Sequence, residues 1–77
     1  MAAGGTNGTV KGVTSGPSGR AATVHFDDPP PAGRNEEYTN LSADNYLTLC
    51  TGANDGWKVD VTVDASGSAT TAAAHKP

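Results

Sequence analysis

The chain has 77 residues, a formal net charge of −3 and 35% hydrophobic residues. A chain this short forms one small domain that buries about 60% of the surface exposed on unfolding, which excludes an enzyme built from two lobes. Its five basic residues are scattered singly and offer no positively charged stripe to a phosphate backbone, so nucleic acid is a disfavoured partner.

The composition also bears on location and on how a small core is stabilised. The longest apolar run, residues 72–74, is far shorter than the ~18 residues of a membrane span, and the N-terminus lacks the pattern of a signal peptide. We therefore expect a soluble protein, with the cytoplasm favoured and no membrane contact.

The single cysteine, Cys50, cannot form an internal disulfide and is expected to be a small buried hydrophobe. Oligomerisation is a common remedy for a core this small.

The first part of the chain predicts two antiparallel strands. Val10 and Val13 are out of step with the two-residue period of a strand, and a bulge at Gly12 would bring both valines to one face. Turn-forming residues occupy positions 15–19, and apolar residues then alternate with polar ones. The predicted inner face of this second strand consists of Ala22, Val24 and Phe26.

The proline-rich segment 28–33 cannot sustain a sheet ladder, because proline lacks the backbone donor. We expect a surface loop there, followed by a short third strand from Glu36 to Thr39 around Tyr38.

The next segment, about Ser42 to Ala53, is predicted to be a helix. Ser42 can cap its N-terminus, Asp44 faces the positive end of the helix dipole, and residues 54–56 (Asn-Asp-Gly) supply the stop signal. Apolar residues at three- and four-residue spacing predict the buried face. They are Ala43, Tyr46, Leu47, Cys50 and Ala53.

Residues 57–64 give the clearest strand pattern, and we take this segment as the central strand because its inner face holds four large apolar side chains. Those side chains are Trp57, Val59, Val61 and Val63. The tail, residues 66–77, has no large side chain and is expected to be either disordered or an edge strand. Residues 1–7 are expected to be flexible, which leaves 8–65 as the folded domain.

This order of elements predicts an α+β, mainly β domain. A helix before the fourth strand of a five-strand meander, with a glycine bulge in the first strand, is the order of a small, partly open OB-type barrel. A curled antiparallel sheet with one helix packed across it is the alternative, and the sequence leaves both open.

The sequence offers little that is typical of an enzyme. His25 shares a strand face with Asp27, but a metal site needs three or four ligands and the other histidine, His75, lies in the tail. The serines lack the nucleophile-elbow signature, and Glu36 and Glu37 would point to opposite faces of a strand. We expect a non-enzymatic protein without metal or cofactor, and a hydrolase that uses His25 is a minor alternative.

A ligand surface, where one exists, is expected at the proline loop, because loops on a rigid sheet usually carry recognition. The ligand would be a small molecule or a protein partner. The candidate binding residues are His25, Asp27, Asp28, Arg34 and Tyr38.

Residues 45–47 (Asn-Tyr-Leu) and 56–61 (Gly-Trp-Lys-Val-Asp-Val) resemble the helix, glycine and alternating strand of small bacterial OB-like proteins related to the B subunits of AB-type toxins. The resemblance implies a non-catalytic barrel that assembles through sheet edges and holds a small ligand such as a sugar. It also implies that Tyr46, Trp57 and Val59 are core residues.

Residues 7–11 (Asn-Gly-Thr-Val-Lys) and 24–26 (Val-His-Phe) are similar to two strands of the cold-shock proteins, which bind single-stranded nucleic acid. The aromatic element of that family is replaced here by residues 12–20, which leaves Tyr38 as the expected stacking residue. A module that homo-oligomerises is therefore the preferred function, and a single-strand binder of this type is the alternative.

Overall fold

A computed structural model describes residues 2–17, 19–27 and 33–77. These residues form five strands and one helix in an α+β, mainly β arrangement, as predicted. The elements in chain order are β1 (Gly5–Gly16), β2 (Gly19–Phe26), β3 (Arg34–Tyr38), α1 (Ala43–Asp55), β4 (Lys58–Val63) and β5 (Ala69–His75).

The strands form one antiparallel sheet in the order β3-β2-β1-β4-β5. The two edge strands, β3 and β5, do not pair with each other in the part of the chain that the structure describes, so the sheet is not closed into a barrel. The central strand is β1, and the prediction that residues 57–64 form it is wrong. A long β1 pairs with both β2 and β4, and this leaves β4 beside the edge.

The predicted irregularity in β1 is present. The register shifts between Val10, which pairs with Val24, and Gly12, which pairs with Thr23, so that Lys11 is the extra residue of the bulge. Val13 consequently lies opposite Ala22, on the same face as Val10.

One face of the sheet, the inner face, is covered by α1 and holds the hydrophobic core. Directly opposite residues of antiparallel strands share a face, so the pairing of β1 with β2 and of β4 with β5 brings the apolar residues together. The buried hydrophobic residues are Val10, Ala22, Val24, Phe26, Tyr38, Leu41, Leu49, Val59 and Val61.

Both ends of α1 follow the predicted caps. Ser42 Oγ accepts a hydrogen bond from the backbone N–H of Asn45 at 3.2 Å, and Gly56 ends the helix with a left-handed φ of 70°. The predicted buried face is partly wrong, because Leu47 is 62% exposed and Ala43 and Ala53 are also exposed.

The helix instead turns Leu49 and Gly52 toward the sheet, and Tyr46 packs partly buried against the core. A glycine at position 52 allows the helix backbone to approach β4 closely. Cys50, expected to be buried, is a free and partly exposed cysteine.

Trp57 lies before β4 and is partly exposed, so the prediction that it belongs to the inner face of that strand is wrong. Its ring lies 5.9 Å from the Nζ atom of Lys76. Val59 and Val61 are buried as predicted, and Val63 packs partly buried against the core.

Regular structure extends beyond the boundaries 8–65 expected from the sequence. β1 begins at Gly5, and β5 forms an edge strand whose Ala72 lies opposite Val61 of β4. Among the described residues, no helix is both long and apolar enough to cross a membrane.

Candidate functional site

The structure places His25 on the outer face of the sheet, opposite Asn35 of β3. The His25 ring contacts two neighbouring oxygen atoms: Nδ1 lies 2.6 Å from Asn35 Oδ1, and Nε2 lies 3.1 Å from Asp27 Oδ1. The His25 side chain is 27% exposed, whereas that of Asp27 is 79% exposed. His25 and Asp27 are therefore in contact at the end of β2, in a site that is open to solvent.

These contacts bear on the hydrolase alternative. Among the described residues, the hydrogen-bond partners of the His25 ring are an amide and a carboxylate, and neither is a nucleophile of the serine type. Within the same residues, no group of three or more His, Cys, Asp and Glu side chains is placed to hold a metal ion.

Arg34 and Tyr38 lie on the other face of the sheet. Arg34 pairs with Phe26 and Tyr38 pairs with Ala22, which places both side chains on the inner face. The four candidate residues that the structure describes therefore lie on two faces and do not form one site. The fifth, Asp28, lies outside the described residues.

Arg34 has several partners within its own chain. Its Nη1 donates to Glu36 Oε2 at 2.7 Å, and its Nη2 donates to the backbone oxygen of Gly4 at 3.0 Å. Its guanidinium carbon lies 4.8 Å from the centre of the Phe26 ring, within cation–π range. These contacts fix Arg34 as a structural link between β3 and the N-terminal residues.

Tyr38 is only 1% exposed, so its ring is not available to stack on a base as expected from the sequence. Its hydroxyl donates to the backbone oxygen of Ala3 at 2.5 Å, and Glu36 Oε1 accepts from the backbone N–H of Ala3 at 3.3 Å. Burial raises the pKa of Tyr38 to about 12; the charge of Glu36 adds to this shift, and that of Arg34 opposes it. Tyr38 is thus a neutral donor that holds the N-terminal segment on the inner face.

A second polar cluster on the outer face was missed by the sequence analysis. The backbone N–H of Asn7 donates to Asp60 Oδ1 at 2.9 Å, and Asn7 Oδ1 lies 2.8 Å from Nε2 of His75. Lys58 Nζ donates to Thr9 Oγ1 at 2.7 Å. The alternation of polar residues with valines in β4 predicts that Lys58 and Asp60 face outward. It does not predict that Asn7 and His75, from opposite ends of the chain, meet beside them.

A shallow cavity of about 160 Å³ lies at the hairpin of β1 and β2. Its volume is below the ~300 Å³ at which typical small-molecule sites begin. Its lining residues are Gly12, Val13, Thr14, Ala21, Ala22, Thr23 and Glu37.

The two sheet edges differ in chemistry. β3 has the sequence Arg-Asn-Glu-Glu-Tyr, so three of its five residues are charged. β5 has the sequence Ala-Thr-Thr-Ala-Ala-Ala-His and contains no Asp, Glu, Lys, Arg or Pro. The β5 edge therefore lacks the charges and prolines that usually protect such a strand, although the backbone oxygen of Thr70 accepts a hydrogen bond from Asn45 Nδ2 of α1 at 3.3 Å.

Comparisons of the chain with models of protein families, with curated proteins and with solved structures give no significant match.

Proposed function

We propose that this chain is a non-enzymatic binding and assembly module that homo-oligomerises through an exposed edge of its sheet. The observation that carries the proposal is the β5 edge, a strand of seven residues that pairs with β4 on one side and carries no formal charge other than that of a protonated His75.

Edge strands present N–H and C=O groups that can pair with another chain, and monomeric proteins usually block such edges with lysine, proline, bulges or a covering element. All side chains of β5 except His75 are small Ala and Thr side chains, and Thr71 and Ala73 are exposed. Such a strand is suited to β-augmentation, in which main-chain hydrogen bonds supply the affinity.

The size of the core supports the same proposal. The buried hydrophobic residues of the described chain include one Phe, one Tyr and two Leu, the remainder being Val and Ala. A domain below ~80 residues with a core of this kind gains stability when a second copy buries further surface.

The element order supports the interpretation of the fold as an open relative of the OB-type barrel, because α1 lies between β3 and β4 and β1 pairs with both β2 and β4. In that interpretation, the unclosed edge strands are the surfaces left for assembly. The group of His25, Asp27 and Asn35 on the outer face is the proposed contact point for a small ligand or protein partner.

The proposal is tested by sedimentation equilibrium from about 1 μM to 1 mM protein. We expect the average mass to rise with concentration, and we expect Ala73→Lys to weaken association by about tenfold or more, because a lysine on an edge strand opposes pairing with another chain. Thr14→Lys is the matched control, since Thr14 is an exposed residue of the central strand. A wild-type chain that stays monomeric throughout, with a melting temperature independent of concentration, would contradict the proposal.

A further inference from the structure

From the contrast between the two sheet edges, we infer that assembly stops at a two-fold dimer in which β5 pairs antiparallel with β5 of a second copy. The result is a continuous sheet of ten strands. The inference rests on the proposed self-association, and it specifies that the partner is a second copy, that the edge is β5 and that the symmetry is two-fold.

The β3 edge is a poor partner for a second copy. Glu36 is paired with Arg34 of its own chain, so pairing two β3 strands would bring the two Glu37 carboxylates to one seam without a cation. Arg34 cannot offset them freely, because its guanidinium already bonds Glu36 and the backbone of Gly4. The N-terminal residues also lie on the inner side of β3, where Ala3 bonds both Glu36 and Tyr38.

The β5 edge can pair with itself without opposing charges. Ala72 and Ala74 lie opposite Val61 and Val59 and therefore face inward, while Ala73 and His75 lie opposite Asp60 and Lys58 and face outward. Antiparallel pairing places inward residues opposite inward residues, so one residue in the middle of the strand lies opposite its own copy and the two-fold axis passes between the two. Near Ala72 or Ala73, no register brings an Asp, Glu, Lys or Arg of one β5 opposite another.

Symmetry then decides the size of the assembly. Pairing β5 with β5 uses the same edge of both copies and is closed at two chains, whereas pairing β5 with β3 of the next copy would repeat indefinitely as a filament. Because each end of the ten-stranded sheet would be a charged β3 edge, further growth is opposed.

The dimer predicts specific distances. With strands ~4.8 Å apart, the two β3 strands of the dimer lie nine spacings apart, at most about 43 Å. By contrast, the Cα atoms at position 71 of the two copies lie within about 15 Å of each other. These distances are reversed when β3 pairs with β3.

The experiment uses the full chain with Cys50→Ala, which removes the native thiol, and one new cysteine carrying a nitroxide at either Thr71→Cys or Glu37→Cys. Both positions are exposed, one on each edge strand. By electron paramagnetic resonance we expect a short distance between copies for the label at position 71 and a long one for the label at position 37. In unlabelled protein, backbone amides of β5 should gain protection from hydrogen exchange as concentration rises, and those of β3 should not.

The outcomes separate this inference from the function on which it rests. A monomer at all concentrations contradicts both. A short distance between labels at position 37 overturns the β5 dimer and leaves self-association standing. The same holds for a short distance that appears only when chains labelled at position 71 are mixed with chains labelled at position 37, and for an average mass that keeps rising beyond two chains. An assembly without concentration-dependent protection in β5 overturns it as well.

Discussion

Gly52 of α1 lies directly against Val59 of β4: a Cβ atom added to Gly52 would fall 2.7 Å from Val59 Cγ1. The same atom would lie 3.1 Å from Val10 Cγ2 on β1. A glycine inside a helix costs about 1 kcal/mol relative to alanine, so its presence here is explained by the close approach of the helix to the sheet.

Gly52→Ala is therefore expected to lower the free energy of unfolding by about 1–3 kcal/mol, because overpacking outweighs the gain in helix propensity. Gly12→Ala is the control, since a Cβ at Gly12 meets nothing within 4 Å. Urea unfolding followed by Trp57 fluorescence measures both variants. A Gly52→Ala chain that is more stable than wild type would show that the gain in helix propensity exceeds the cost of overpacking at this position.

The two leucines of α1 provide a matched pair of truncations. Leu49 is 0% exposed and Leu47 is 62% exposed, and they differ by only two positions in the helix. Leu49→Ala should lower the free energy of unfolding by about 2–5 kcal/mol through lost burial and a new cavity. Leu47→Ala should change it by less than about 0.5 kcal/mol, as is usual for exposed sites. Equal effects in chemical denaturation would contradict the observed orientation of the helix.

This pair also shows what the sequence can predict. The ends of α1 depend on local chemistry, namely a Ser42 hydroxyl and a glycine at position 56, and both were predictable. The choice between Leu47 and Leu49 depends on how the helix packs on the sheet, which includes the tertiary contacts of Gly52 with Val59 of β4 and Val10 of β1. Counting apolar residues treats that glycine as neutral, although it sets the buried face.

The candidate site shows a similar limit. The alternation in β2 predicts that His25 faces outward, and Asp27, the residue after the end of the strand, contacts the His25 ring. The placement of Arg34 and Tyr38 depends on the register between β2 and β3, and five residues of mixed charge do not specify a register. The sequence consequently grouped residues that the sheet separates onto two faces.

Tyr38→Phe tests the link between β3 and the N-terminal segment. At neutral pH, loss of the hydrogen bond to Ala3 should lower the free energy of unfolding by about 1 kcal/mol. The pKa of Tyr38 is raised from 10.0 to about 12 in the folded chain, so folding favours the neutral hydroxyl. The wild type should therefore keep this stabilisation below pH 10 and lose it progressively as the pH rises toward 12.

The measurement is the difference in unfolding free energy between wild type and Tyr38→Phe at pH 8, 10 and 11. Both proteins share every other titrating group, so the difference isolates Tyr38. We expect it to shrink above pH 10, and a difference that stays constant or grows would contradict the assigned role of the hydroxyl.

Asp64 controls the turn that leads from β4 into the proposed assembly edge. Its Oδ1 accepts from the backbone N–H groups of Ser66 and Ser68 at 2.9 and 3.1 Å and from the Ser66 hydroxyl at 2.6 Å. The bond from the Ser66 hydroxyl, followed by those from the backbone, lowers the pKa of Asp64 below 3.8. A carboxylate with a depressed pKa stabilises the fold above its ordinary pKa, and this contribution is lost as the pH falls through the depressed value.

Amide hydrogen exchange of Ser66 and Ser68, expressed relative to unfolded peptide at each pH, should therefore show a loss of protection as the pH falls below 3.8. Asp64→Asn should show weak protection already at neutral pH and little further change in acid, because a neutral amide oxygen accepts these bonds less strongly. Asp55→Asn removes an exposed carboxylate from the end of α1 and should retain the wild-type acid dependence. Acid-dependent protection that persists in Asp64→Asn would assign the turn's stability to another group.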